Sequence, residues 1–378
     1  MPALPPSLDP PRRVLLGPGP SEVPASVLQA MARPTLGHLD PRFLALMDEI
    51  REMLRGLFGT ANGWTLPMSG TGSAGMETVL VNLLEPGDRV LVGVNGVFGG
   101  RIAEAARRVG AEAVEVAGEW GRALDPDDFR RAARAAGGSF RLLALVHAET
   151  STGVLQPMEG WRELADELGA LLVADVVTAL GGTPVRLDEW GVDAAFAGSQ
   201  KCLSCPPGLA PVSLSPRAVE RLQTRREPVR SWYLDLNLIA RYWGGERAYH
   251  HTAPVNLLYA LHEACRLALA EGLEQRAARH RRLGAELQAG LEGMGLELRV
   301  PAGERLPQLT AVAVPDDVAD APVRRFLLEE FGVEIGGGLG PMAGNTWRIG
   351  LMGAGCTRAN VALVQAGLRA ALAAPVRA

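Results

Sequence analysis

Short apolar runs alternate with stretches of helical periodicity along much of this chain, and no other feature constrains its fold as much. The runs are RVLVGV (89–94), LLALVH (142–147), ALLVAD (170–175) and DAAFAG (193–198), accompanied by amphipathic stretches such as 100–109, 126–136 and 160–168. Strands that alternate with helices imply an α/β architecture, a mostly parallel, doubly wound sheet with helices on both faces. Polar residues gather at the C-terminal end of each run: Asn95, His147 to Thr150, Asp175, and Ser199 to Lys201. Ligands of open α/β sheets bind outside those strand ends, so these residues are expected to converge on one crevice.

A chain of 378 residues exceeds one small domain and fits a large domain with a smaller companion. Residues 1–20 read as an extended, proline-rich arm. Asp40-Pro41 starts a helix as N-cap and first-turn proline, Phe43, Met47, Ile50, Leu54 and Leu57 form its apolar face, and Gly59 ends it. Residues 21–270 are expected to form the large domain. A long helical region at about 254–293 leads into a smaller C-terminal α+β domain, 271–378, with strands in RLPQLTAVAVP and TWRIGLMG and helices at 322–331 and 358–373.

Several function classes drop out. Net charge is −4 with the arginines dispersed, which offers nothing to nucleic acid or to a membrane surface. Hydrophobic content of 47% and charged content of 21% describe an ordinary globular protein. Four cysteines make no disulfide framework, and the Cys202–Cys205 pair lacks both the helix a redox site needs and a second pair to hold zinc, so no metal is expected. MPALPPSLDPPRR has no apolar signal core, no run approaches the roughly 18 residues of a membrane span, and the terminal VRA is no peroxisomal address. A cytoplasmic location is expected.

Lys201 is the sole lysine; every other basic side chain among the 38 Lys+Arg positions is arginine. Arginine holds its proton at any working pH, whereas a buried lysine can release one and form a Schiff base with a carbonyl. Asp175 closes a buried run, where a carboxylate is costly without a partner such as a cationic ring nitrogen. The turn SGTGSAG (69–75) runs into a helical pattern, and a glycine-rich turn at a helix N-terminus suits a phosphate. Its GxGxxG spacing lacks the acid that a dinucleotide site needs at the end of the next strand, Val94-Asn95, so a mononucleotide-sized phosphate fits better than NAD. A phosphate cradle, an acid for a ring nitrogen and one lysine for an aldehyde are the requirements of pyridoxal phosphate.

With those residues in view, the chain resembles the class V aminotransferases, specifically the alanine–glyoxylate/serine–pyruvate family. The likeness runs from LLGPGPSEVP (15–24) past RIGLMG (348–353), through SGTGSAGMET, LLEPGDRVLVGVNGVFGGR, HAETSTGVLQP, VADVVTALGGTPV, GSQKCLSCPPG, AYHHTAPV and GGLGP. It implies fold-type I and a homodimer. It makes Lys201 the Schiff-base lysine and Asp175 the ring-nitrogen partner, and sets Val177 on one ring face and Phe98 in the stacking position. Gln200, Thr71, Gly72 and Ser73 would hold the phosphate, and Thr150 the phenolic oxygen. Tyr249 and Thr252 would reach the phosphate of the other subunit. Arg348 would clamp the substrate carboxylate, with Gly19 also at the substrate. The chain departs from animal members in three places: Phe98 stands for Trp, Ser73 for His and Thr150 for Ser.

The resemblance implies ping-pong transamination from alanine or serine to glyoxylate or pyruvate. The rival readings are a ureidoglycine–glyoxylate aminotransferase, a lyase or desulfurase, a nicotinamide dehydrogenase and a non-enzymatic relative. Cys356, the only cysteine near Arg348 in sequence, shows no activation for desulfuration. The stretches expected nearest the cofactor (69–75, 95–98, 147–153, 175–183) hold no arginine, so a dicarboxylic substrate would find no second cation there. Trp232 and Tyr233 are expected in the core or at an interface. His250 and His251 are expected to pack rather than catalyse.

Overall fold

The structure, a computed structural model, describes residues 4–373; the proline at position 2 and the terminal VRA lie outside them. The chain begins with β1 (Val14–Leu15), α1 (Ala25–Met31) and α2 (Pro41–Phe58). Asp40 caps α2 by accepting from the Arg42 amide, and Gly59 ends it in the left-handed conformation, as the cap residues predict. Then come β2 (Trp64–Ser69), α3 (Gly72–Leu83), β3 (Arg89–Val94), α4 (Val97–Val109), β4 (Glu112–Ala117) and β5 (Leu142–Val146). A small hairpin, β6 (Ala148–Glu149) with β7 (Val154–Leu155), follows β5 directly. The large sheet is completed by β8 (Leu171–Asp175), β9 (Ala194–Phe196) and β10 (Leu209–Leu214).

The seven strands lie in the order β2-β10-β9-β8-β5-β3-β4. Those from β9 to β4 are parallel, and β10 runs antiparallel to both of its neighbours. The antiparallel pairing fits the connection: β9 and β10 are joined by the loop 197–208, which holds no helix to carry a crossover. From β3 the chain steps outward to β4, then returns past β3 to β5 and proceeds the other way. The reversal opens a crevice between β3 and β5 at their C-terminal ends.

The C-terminal part carries a three-stranded antiparallel sheet of β11 (Leu309–Ala313), β14 (Thr346–Gly350) and β13 (Gly336–Gly337), while β12 (Val333–Glu334) pairs with β1. It has its own hydrophobic core, in which Leu16 from the N-terminal segment packs with Trp347, Ile349, Leu287 and Val364. The helical region expected at 254–293 is two helices, Val255–Glu271 and Leu273–Glu292, broken at Gly272. Trp232 and Tyr233 are exposed rather than in the core, with Trp232 stacked on buried His250 at 4.2 Å between ring centroids. Among the described residues, no helix is long and apolar enough to cross a membrane.

Candidate active site

A cavity of about 210 Å³ opens at the C-terminal ends of β5, β8 and β9. Thr71, Gly72, Ser73, Phe98, Thr150, Asp175, Val177, Gln200 and Lys201 all line it. The sheet topology brings them together. Asp175 ends β8, which pairs in parallel with β9, and Lys201 stands in the turn that follows β9.

Asp175 is buried, and its Oδ1 accepts from the Val177 amide at 2.8 Å. Burial pushes its carboxyl up to about 7, Glu149 adds to the rise, and the Val177 bond and Lys201 oppose it. Lys201 is buried too, and burial lowers its ammonium to about 8, with the Arg348 charge acting in the same direction. Its Nζ donates to the carbonyl of Pro18. The neighbouring Gly19 has φ +102°, and a Cβ there would lie 2.7 Å from both Lys201 Cδ and Nζ. Only glycine lets this segment lie against the lysine tip.

At the other end, α3 starts at Gly72. Thr71 occupies the N-cap but makes no side-chain cap, and the first amides of a helix have no partner within it. Gln200 projects nearby with a buried Oε1 that lacks a hydrogen-bond partner. An unpaired buried amide oxygen is costly, which marks a place that would accept from a donor.

Arg348 is not among the lining residues but adjoins them. It sits in β14 with its Nε donating to Gly337 O at 2.7 Å and its Nη1 to Thr150 O at 3.1 Å. Among the described residues its Nη2 donates no hydrogen bond, so part of the fork is available. Tyr249 and Thr252 lie apart from this cavity, exposed and 3.3 Å from each other at their hydroxyls. Asn95 and His147, which also follow strands, do not line it: Asn95 donates to Arg122 O, and His147 Nδ1 meets Gln156 O.

Two charged residues here were not singled out in the sequence. Arg101, one helical turn after Phe98, lines the cavity with its guanidinium 4.9 Å from the Phe98 ring centroid. The site therefore does contain an arginine beyond Arg348, because α4 turns its first turn toward the cavity. Glu149 is buried beside Thr150. A buried acid in HAETSTG was the available signal for it; Arg101 had none among 37 arginines. Burial pushes the Cys202 and Cys205 thiols up to about 12 and Cys356 up to about 11, so none is an activated nucleophile.

Comparison with known proteins follows the same lines. The family model for aminotransferase class-V matches residues 13–363. The chain is 41% identical to the (S)-ureidoglycine–glyoxylate transaminase of Bacillus subtilis (strain 168), over 96% of this chain and 91% of that one. It is 42% identical to the alanine–glyoxylate aminotransferase of Callithrix jacchus, over 96% of this chain and 88% of that one. A crystal structure of an alanine–glyoxylate aminotransferase from Nostoc sp. superposes with a TM-score of 0.96 at 49% identity, covering 98% of both chains.

Proposed function

The chain belongs to the class V aminotransferases, pyridoxal-phosphate enzymes of fold-type I, and within that family we propose that it moves the amino group of alanine or serine to glyoxylate or pyruvate. One observation carries the site assignment. The only lysine and a buried carboxylate with no ion pair among the described residues open into the same cavity as an uncapped helix N-terminus. These residues fit the cofactor's three ends: backbone amides and the Gln200 Nε2 as donors for a phosphate, Asp175 for a pyridine nitrogen, Lys201 for an aldehyde. When bound, pyridoxal phosphate supplies an electron sink for the bonds at the substrate's α-carbon.

The chain's own residues do the rest. Asp175, raised by burial, is ready to be drawn back to its ionised form by a ring N–H cation, and the Val177 amide aims it. Lys201 Nζ, pushed by burial toward the free amine, would take the α-proton of the bound amino acid on its lone pair. Phe98 and Val177 would hold the ring, and Thr150 would offer its hydroxyl to the phenolic oxygen. Thr71, Gly72, Ser73 and Gln200 hold the phosphate. Arg348, braced by two carbonyls, presents its free nitrogen to the substrate carboxylate, with Gly19 beside it. The chain acts as a homodimer in which Tyr249 and Thr252 complete the partner's phosphate site, a role suited to their exposure on one subunit. Residues 21–270 serve as the cofactor-binding domain, 271–378 as the smaller domain, and 1–20 as the arm; the enzyme works in the cytoplasm.

A donor panel tests this. Alanine, serine, ureidoglycine, aspartate and glutamate are each given to the enzyme with glyoxylate, and glycine formation is followed. Alanine or serine is expected to lead aspartate and glutamate by at least ~10²-fold in kcat/KM. Ureidoglycine in front would assign the enzyme to its Bacillus relative's reaction, and aspartate or glutamate in front would refute the small-donor reading.

A further inference from the structure

Glu149 has no part in the roles assigned above, yet it is one of the most deeply buried acids in the molecule, 1% exposed and with no Lys or Arg ion pair among the described residues. What stabilises it is hydrogen bonding. Its Oε1 accepts from the Ser151 amide at 2.9 Å and the Ser151 hydroxyl at 2.6 Å. Its Oε2 accepts from the Phe98 amide at 3.1 Å. The Ser151 hydroxyl accepts in turn from the Val97 amide at 2.9 Å. The first two amides of α4 therefore end on Glu149, or on Ser151, which donates to it.

A helix ordinarily satisfies such amides with its own N-cap side chain. Here the N-cap is Gly96, which has none. A Cβ at Gly96 would lie 2.4 Å from Glu149 Cδ and 2.6 Å from Ser151 Oγ, so no larger residue can stand there while Glu149 does. The cap has been moved to another element, 51 residues on from Phe98. The helix dipole favours the negative charge, but a local Ser or Asp would cap the helix equally well. What the remote cap adds is a tie between the start of α4, carrying Phe98, and the segment that carries Thr150 and braces Arg348.

We propose that Glu149 is a positioning residue: by gripping the first amides of α4 from the β6–β7 hairpin, it sets the Phe98 ring against the cofactor. The proposal rests on the reading of Phe98 as the ring contact. It makes the two residues energetically dependent, which a cap serving only helix stability would not.

A double-mutant cycle on the holoenzyme tests this. Release of pyridoxal 5′-phosphate is timed after dilution into a scavenging apoenzyme, for the unmodified protein, Glu149→Gln, Phe98→Ala and the double variant, with melting of each apoprotein alongside. Glu149→Gln is close in shape but lacks the charge, and its amide puts donors against donors. It is expected to speed release at least ~10-fold, the scale of losing hydrogen bonds to a charged group. With Phe98→Ala already present, the same change is expected to add less than ~2-fold, because the ring it positions is gone. Ser151→Ala, which keeps the carboxylate, should show a smaller acceleration with the same dependence on Phe98. An equal factor in both backgrounds would overturn the proposal, as would a lowered apoprotein melting temperature with unchanged release. If Phe98→Ala alone leaves release unchanged, the ring-contact reading fails and the proposal falls with it, a result distinct from the other two.

Discussion

Asp175 accepts a 2.8 Å hydrogen bond from the amide of Val177, two residues on, and forms no ion pair among the described residues. A buried acid held in one orientation but without a direct ion pair is suited to a positive partner. Replacing it with Asn keeps the shape and removes the charge. Asp175→Asn is expected to retain cofactor while the amino-acid half-reaction slows by at least ~10²-fold, measured in single turnovers by stopped flow. Equal rates would make Asp175 merely structural.

The same carboxyl gives a pH signature. Its ordinary value is 3.8, and in the folded apoprotein burial raises it to about 7. Between those values the folded apoprotein holds a proton that the unfolded chain has released. The contribution of Asp175 to stability is thus full below about pH 4 and is lost as pH rises through about 7. His147 and His280, lowered by burial to about 4 and about 3, act in the opposite sense, so the comparison is made against Asp175→Asn. Apoprotein melting curves at pH 5 and pH 8 should show unmodified protein losing stability relative to the variant. Parallel pH profiles would contradict the raised value.

Lys201 permits an unusually clean labelling experiment, because the chain has no other lysine. Borohydride treatment of the loaded enzyme should attach cofactor irreversibly to the peptide containing AGSQKCL, identified by mass spectrometry. Lys201→Arg keeps the charge but cannot bond an aldehyde, and turnover should fall by at least ~10²-fold with the fold intact. Near-normal turnover would end the assignment.

The exposed pair Tyr249 and Thr252 can be tested by subunit mixing. Lys201→Arg and the double variant Tyr249→Ala/Thr252→Ala are each expected to be poorly active alone. In a hybrid dimer, one site combines Lys201 with an unmodified Tyr249 and Thr252 from the partner. Unfolding and refolding an equal mixture should then recover about a quarter of normal activity, since about half the dimers are hybrids with one good site each. No recovery would mean that the pair serves its own subunit or none.

Arg101 bears on substrate choice. Its guanidinium is engaged with the Phe98 ring, an arrangement worth roughly 0.5–1 kcal/mol at an exposed site. If that is its task, Arg101→Ala should change alanine and serine turnover only modestly and leave aspartate and glutamate poor donors. Rapid single-turnover reaction with aspartate, abolished in Arg101→Ala, would make Arg101 a distal carboxylate clamp instead. Arg348→Lys keeps the charge but loses the planar fork, and should raise KM for every donor by about 10-fold, the scale of one charge-assisted hydrogen bond.

The sequence alone already carried the alternation of strands and helices, the cap residues of α2, the glycine turn before α3, and the singular positions of Lys201 and Asp175. These are local signals: a periodicity, a residue type at a strand end, or one lysine among arginines can be read without knowing what lies opposite. Gly272 broke a helical region that reads as continuous, because apolar spacing persists across a bend that only packing reveals. The grip of Glu149 on Phe98, the seat of Arg348 on Thr150 and Gly337, and the turn of Arg101 toward the cavity were decided by tertiary structure. Each depends on which strands lie side by side and where their ends fall, and on residues 51 or 198 positions apart meeting within about 3 Å. Hydrogen bonds act over a few ångströms of space and carry no record of their partner in the neighbouring sequence. Only the folded sheet, by fixing strand order, determines which buried acid meets which helix.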